Sequence, residues 1–114
     1  MAQKYILLKT NDSSDGMIAI NKSVFYSIAE LSIDEVEDAV RIPKTKFNKP
    51  LKVTIADNKL GISADVKVKY MANVNETCRT IQSKIYDNVL QMTGFSADTV
   101  TVNVIGFTAR LSKV

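Results

Sequence analysis

The sequence predicts an α+β fold: a two-layer sandwich in the order β-α-β-β-α-β, with two helices packed on one face of a small mixed sheet. Three observations carry that reading. Residues 62–70 alternate apolar and polar side chains, two stretches repeat apolar residues at helical spacing behind an asparagine, and a valine-rich run follows the second of them. At 114 residues, 46% hydrophobic and 24% charged, the chain has the length and composition of one folded domain with one core.

The elements follow in order. Residues 4–10 read as an added edge strand, and residues 10–16, TNDSSDG, concentrate turn formers and form the linker. The chain therefore divides into an N-terminal strand and linker over 1–15 and a domain over 16–114. Met17 to Ile20 is a short strand, and Asn21 caps a helix from Lys22 to Asp34, with Ile20 and Phe25 at the spacing of a hydrophobic staple. Val24, Ile28 and Leu31, with Phe25 beside them, give that helix its packing face. Charges and two prolines then argue against a regular element beyond Val40, and Pro43 to Pro50 reads as an exposed loop.

Leu51, Val53 and Ile55 have the period of a half-buried strand, and DNKLG, residues 57–61, is a hairpin turn. In the returning strand Ile62, Ala64, Val66, Val68 and Tyr70 face one way and Ser63, Asp65, Lys67 and Lys69 the other, so one sheet face is wet. Asn73 with Glu76 has capping-box spacing and opens a helix to about Thr93 that carries Cys78, Ile81, Ile85, Val89 and Met92 on one side. Gly94 stops it in a left-handed conformation, with Phe95 placed to fold back on Leu90. Val100, Val102 and Val104 form the last strand.

Chemistry is hard to find along this chain. It contains no histidine, which removes the commonest general base and imidazole-based triads and zinc sites. The single cysteine, Cys78, cannot form an internal disulfide, points to a reducing compartment, and lies on an apolar helix face where burial is expected. Gly16, Gly61, Gly94 and Gly106 match neither a phosphate loop nor a dinucleotide fingerprint, and Asp34, Glu35, Glu37 and Asp38 lack the spacing of a calcium loop. No catalytic, metal or cofactor residues are assigned. Residues 1–10 lack an export signal, and the apolar runs are far shorter than the roughly 20 residues that span a bilayer.

The feature that stands out is cationic. Arg41, Lys44, Lys46, Lys49 and Lys52 surround Phe47 with no acidic residue among them, in a chain of net charge +3. Lys44, Lys46, Phe47, Lys49 and Lys52 are the candidate partner-binding residues, with Lys67 and Lys69 on the wet sheet face as a second patch. Charge would steer an acidic protein partner and Phe47 would anchor it. The plain alternative is a solvated loop. A small RNA-binding module of KH-like topology is the competing function, but no two glycines stand three apart to make its backbone clamp, and the exposed strand positions lack stacking aromatics, so nucleic acid is not the expected partner.

Two segments resemble a known family. GMIAINKSVFYSIAELSIDEVEDAV, with its Ile28-Ala29 pair, is similar to the opening strand and helix of the alkaline shock protein, or envelope stress response, family of mostly Gram-positive bacteria. VKVKYMANVNETCRTIQSKIYDNVLQMTGFSADTVTVNVIGF resembles its strand ending in Tyr, long helix ending in Met-Thr-Gly, and terminal Val-x-Val strand. Glu37-Asp38 stands where relatives usually carry a glycine, and Asn75 where a proline is frequent. The resemblance implies a cytoplasmic, non-enzymatic scaffold or adaptor for envelope homeostasis, held at the inner face of the membrane through a membrane-anchored protein partner, with self-association in some relatives. It carries no catalytic motif to transfer.

Overall fold

The structure, a computed structural model, describes residues 3–9 and 16–109. In chain order the elements are β1 (Tyr5–Lys9), β2 (Met17–Asn21), α1 (Lys22–Asp34), β3 (Ala39–Arg41), β4 (Leu51–Ala56), β5 (Lys59–Val68), α2 (Val74–Thr93) and β6 (Thr99–Phe107). The linker read at residues 10–16 lies, but for Gly16, outside the described residues.

Strand β5 organises the rest. Its alternation buries Ile62, Ala64, Val66 and Val68 on one side, as the sequence predicts, and with them Leu60, which the sequence places in the hairpin turn but which lies in a strand that starts at Lys59. Asp57 and Asn58, both at positive φ, form the two-residue turn that joins β4 antiparallel to its first half, with Ala56 opposite Lys59 and Leu51 opposite Ala64. On the same edge β3 pairs antiparallel with its second half, Ala39 opposite Val68 and Arg41 opposite Val66. The other edge takes β6, parallel because α2 provides the crossover. Between Val66 and Lys67 the β6 register slips, which leaves Ile105 without a partner in the ladder.

Both helices cover the side of β5 that carries Leu60 to Val66. From α1 come Phe25, Ile28, Ala29 and Ile33, and from α2 Ile81, Ile85 and Val89; these join the valines and isoleucines of β4 and β5 in one core. Val100, Val102 and Val104 of β6 pack against it half-buried. The caps are as read: the Asn21 side chain accepts from the Ser23 N–H at 3.0 Å, the Asn73 side chain accepts from the Glu76 N–H at 2.9 Å, and Gly94, at φ 76°, donates its N–H to the Leu90 carbonyl.

The structure corrects the sequence reading at several points. A strand, β3, lies where regular structure was expected to fade, because the ladder of β5 extends past the end of β4 and is completed by three residues. Strand β2 does not join the main sheet; it pairs antiparallel with β1, Tyr5 opposite Asn21 through Lys9 opposite Met17, in a separate two-stranded ribbon. On α1 the buried stripe runs through Phe25, Ile28, Ala29, Ser32 and Ile33, while Val24 and Leu31 are 41% and 49% exposed. On α2 it runs through Thr77, Ile81, Ile85 and Val89, which leaves Met92 exposed and Cys78 half-buried. In each helix the true stripe holds one small hydroxyl residue, which an apolar count rejects. Tyr70 lies beyond the end of β5 and is exposed, and Pro50 is buried at the end of the loop.

Candidate contact surface

The cationic run becomes a projection on the edge of the sheet. Because Arg41 pairs with Val66 and Leu51 with Ala64, residues 42–50 leave and rejoin the ladder two residues apart along β5 and are forced outward opposite Asp65. Their base is fastened: the Asp65 N–H donates to the Pro50 carbonyl at 2.8 Å, and Ile42 and Leu51 are buried. Their tip is closed reciprocally, the Thr45 N–H donating to the Asn48 carbonyl at 2.9 Å and the Asn48 N–H to the Thr45 hydroxyl at 2.9 Å. Lys46 and Phe47 occupy the two positions between, and Phe47 is 94% exposed.

Arg41 is spent within the fold. Its guanidinium forks onto Asp34, Nε to Oδ1 at 3.0 Å and Nη2 to Oδ2 at 3.2 Å, with Glu30 at 3.6 Å, and the Asp34 hydrogen bond pushes its pKa up. By contrast Lys44, Lys46, Lys49, Lys52, Lys67 and Lys69 make no ion pair among the described residues. Lys52 stands opposite Ser63 and Lys67 opposite Val40, which places both on the wet face on either side of the loop's base. Between them Asp65 accepts a hydrogen bond from Asn103 at 3.1 Å. The two candidate patches are therefore one surface as far as Lys67. Lys69 is set apart, in an open depression with Asp34, Glu37 and Arg41.

Thr45 and Asn48, which shape the tip, escaped the sequence reading; their signal is a Thr-x-x-Asn spacing between two prolines. Beneath the loop, Tyr26, Glu30, Arg41, Ile42, Lys44 and Lys49 are among the residues lining a cavity of about 90 Å³, well below the roughly 300 Å³ of a small-molecule site. Other concavities, such as the one along Glu76, Arg79, Lys84 and Asp87, are open and polar. Burial pushes the Cys78 thiol up, which favours its protonated form. No group of three or more His, Cys, Asp or Glu able to hold a metal occurs among the described residues, and none of their helices is long and apolar enough to cross a membrane.

Fold and surface together define a small α+β domain with a cationic, aromatic-tipped projection at one sheet edge. Comparison with known families places it more closely: residues 10–109 match the alkaline shock protein 23 family, described as having a cell envelope-related function, and the chain belongs to that family. No curated protein and no solved structure matches it.

Proposed function

We propose that this chain is a non-enzymatic adaptor of the envelope stress response, acting by protein contact at the inner face of the membrane. The observation that carries the reading is the set of lysines without an ion pair among the described residues, Lys44, Lys46, Lys49, Lys52 and Lys67, gathered around one projecting loop with Phe47 at its tip. Lysines without carboxylate partners attract an acidic surface over a distance and set its approach, whereas chemistry needs groups held in mutual reach. The family's envelope-related function supplies the setting, and the shortage of general bases in a chain without histidine supports a role in contact. Lys69 completes the proposed surface as an outlying member beside the acidic end of α1.

Crosslinking of the tagged chain in its native cells, with half of each lysate treated with nuclease, tests this reading. The expected result is capture of a defined envelope protein that survives nuclease and falls several-fold when Lys52 and Lys67 are changed to Glu, with the circular dichroism spectrum unchanged. Complexes that dissolve on nuclease treatment would replace the adaptor by an RNA-binding module.

A further inference from the structure

The tip of the loop fits a different surface from the sheet face beside it. We infer that residues 44–49 bind an anionic lipid surface directly, Phe47 entering the boundary between headgroups and acyl chains while Lys44, Lys46 and Lys49 lie among the lipid phosphates. This deepens the adaptor reading and rests on it for its setting, since it assigns one part of the same surface to the membrane itself.

Shape is the first argument. Phe47 is the most exposed large hydrophobic side chain described, and it stands at the end of a projection whose backbone is closed by the Thr45–Asn48 pair and bracketed by Pro43 and Pro50. A protein hot spot of this kind needs a matching pocket on its partner; a bilayer accepts any convex apolar tip that is held out far enough. Rigidity matters here because a tip already ordered loses little freedom when it inserts.

Composition is the second. Specific protein interfaces are enriched in arginine and depleted in lysine, and the one arginine of this segment, Arg41, is taken by Asp34 and Glu30. What remains free at the tip is lysine only, a hydrated point charge suited to a diffuse layer of phosphates. One aromatic with several lysines also supplies the two weak signals, apolar and electrostatic, that together hold a protein on a membrane where either alone does not. Lys52 and Lys67, by contrast, sit lower, on a flat face with Asp65 and Asn103, and remain for the protein partner.

The chain contains no tryptophan, so Phe47→Trp in this chain places a single reporter at the tip. Mixed with vesicles of equal parts phosphatidylglycerol and phosphatidylcholine, its emission is expected to shift to the blue and to be quenched by brominated acyl chains; with phosphatidylcholine alone it should stay that of an exposed indole. In the otherwise native chain, sedimentation with the same vesicles should fall about tenfold for Phe47→Ala and at least about 25-fold for K46E/K49E, at roughly fivefold per lysine. The equal charge change K59E/R79E, away from the loop, should cost far less. Indole emission from the Phe47→Trp variant that stays unshifted on anionic vesicles, or equal losses for the two double variants, overturns the lipid assignment. Nuclease-resistant protein capture that persists in K46E/K49E would leave the adaptor reading standing without it, so the two fail separately.

Discussion

Gly61 shows how closely the wet face is packed even though it faces water. A Cβ built there would lie 2.8 Å from the Thr54 hydroxyl and 3.0 Å from that of Thr99, which flank it from the neighbouring strands. Threonine is stiff at χ1, so neither hydroxyl swings away freely. Gly61→Ala gains back some chain entropy but meets that overlap, and the expected balance is a loss of about 1 kcal/mol in denaturant unfolding. Thr54→Ala added to it should restore most of the loss; a double variant as unstable as Gly61→Ala alone would show that the strain lies elsewhere. Gly94 needs glycine for another reason, its φ of 76°, with nothing within 4 Å of an added Cβ. The sequence shows the role of Gly94, which follows the apolar stripe of a helix, but not that of Gly61, whose crowding appears only once the neighbouring strands are in register.

At the scale of elements, the two helices are joined by polar side chains as well as by their apolar stripes. Ser32, fully buried on α1, donates to the Ile28 carbonyl at 2.7 Å and accepts from Asn88 of α2 at 2.9 Å, while the same amide reaches Glu35 at 3.2 Å. Removing either partner leaves a polar group short of a bond, so Ser32→Ala and Asn88→Ala should each cost about 1 kcal/mol. Measured by chemical denaturation as a double-mutant cycle, the pair should couple by roughly 0.5–1.5 kcal/mol; strict additivity would mean that water replaces the link at no loss. This link explains why the helices were legible in extent but not in facing. Asparagine caps and a glycine stop are local signals, and they located the start of α1 and α2 and the finish of α2. The inward face of α1 turns on Ser32, whose partner is 56 residues away. Strand β3 was missed for a related reason: three residues are too few to show a period, and only the ladder of β5 defines them. The candidate surface was legible as composition, a run of lysines around Phe47, but its projection depends on the register that brings Arg41 and Leu51 almost together.

Over the whole molecule, the β1–β2 ribbon is the part whose attachment the sequence leaves most open. It forms its own two-stranded sheet, yet Ile6 is fully buried in the common core and Gln3 donates its N–H to the Ile55 carbonyl at 2.6 Å. The fastening is Asn58. From the turn between β4 and β5 its side chain accepts from the Leu7 N–H at 2.9 Å and donates to the Leu7 carbonyl at 3.2 Å, imitating one rung of a ladder, while its own N–H donates to the Gln3 side chain. Asn58 sits at φ 57°, a conformation glycine adopts without strain, so Asn58→Gly keeps the turn and removes only the rung. Stability should fall by about 1–2 kcal/mol, and hydrogen exchange at Leu7 should quicken well before exchange in β5, because the ribbon opens as a unit while the helix-covered sheet holds. If exchange at Leu7 relative to β5 is instead the same in the variant as in the parent chain, burial of Ile6 alone secures the ribbon and the Asn58 rung is dispensable. The first outcome makes the ribbon a separately opening extension of the domain that carries the cationic loop; the second makes ribbon and sheet one cooperative body.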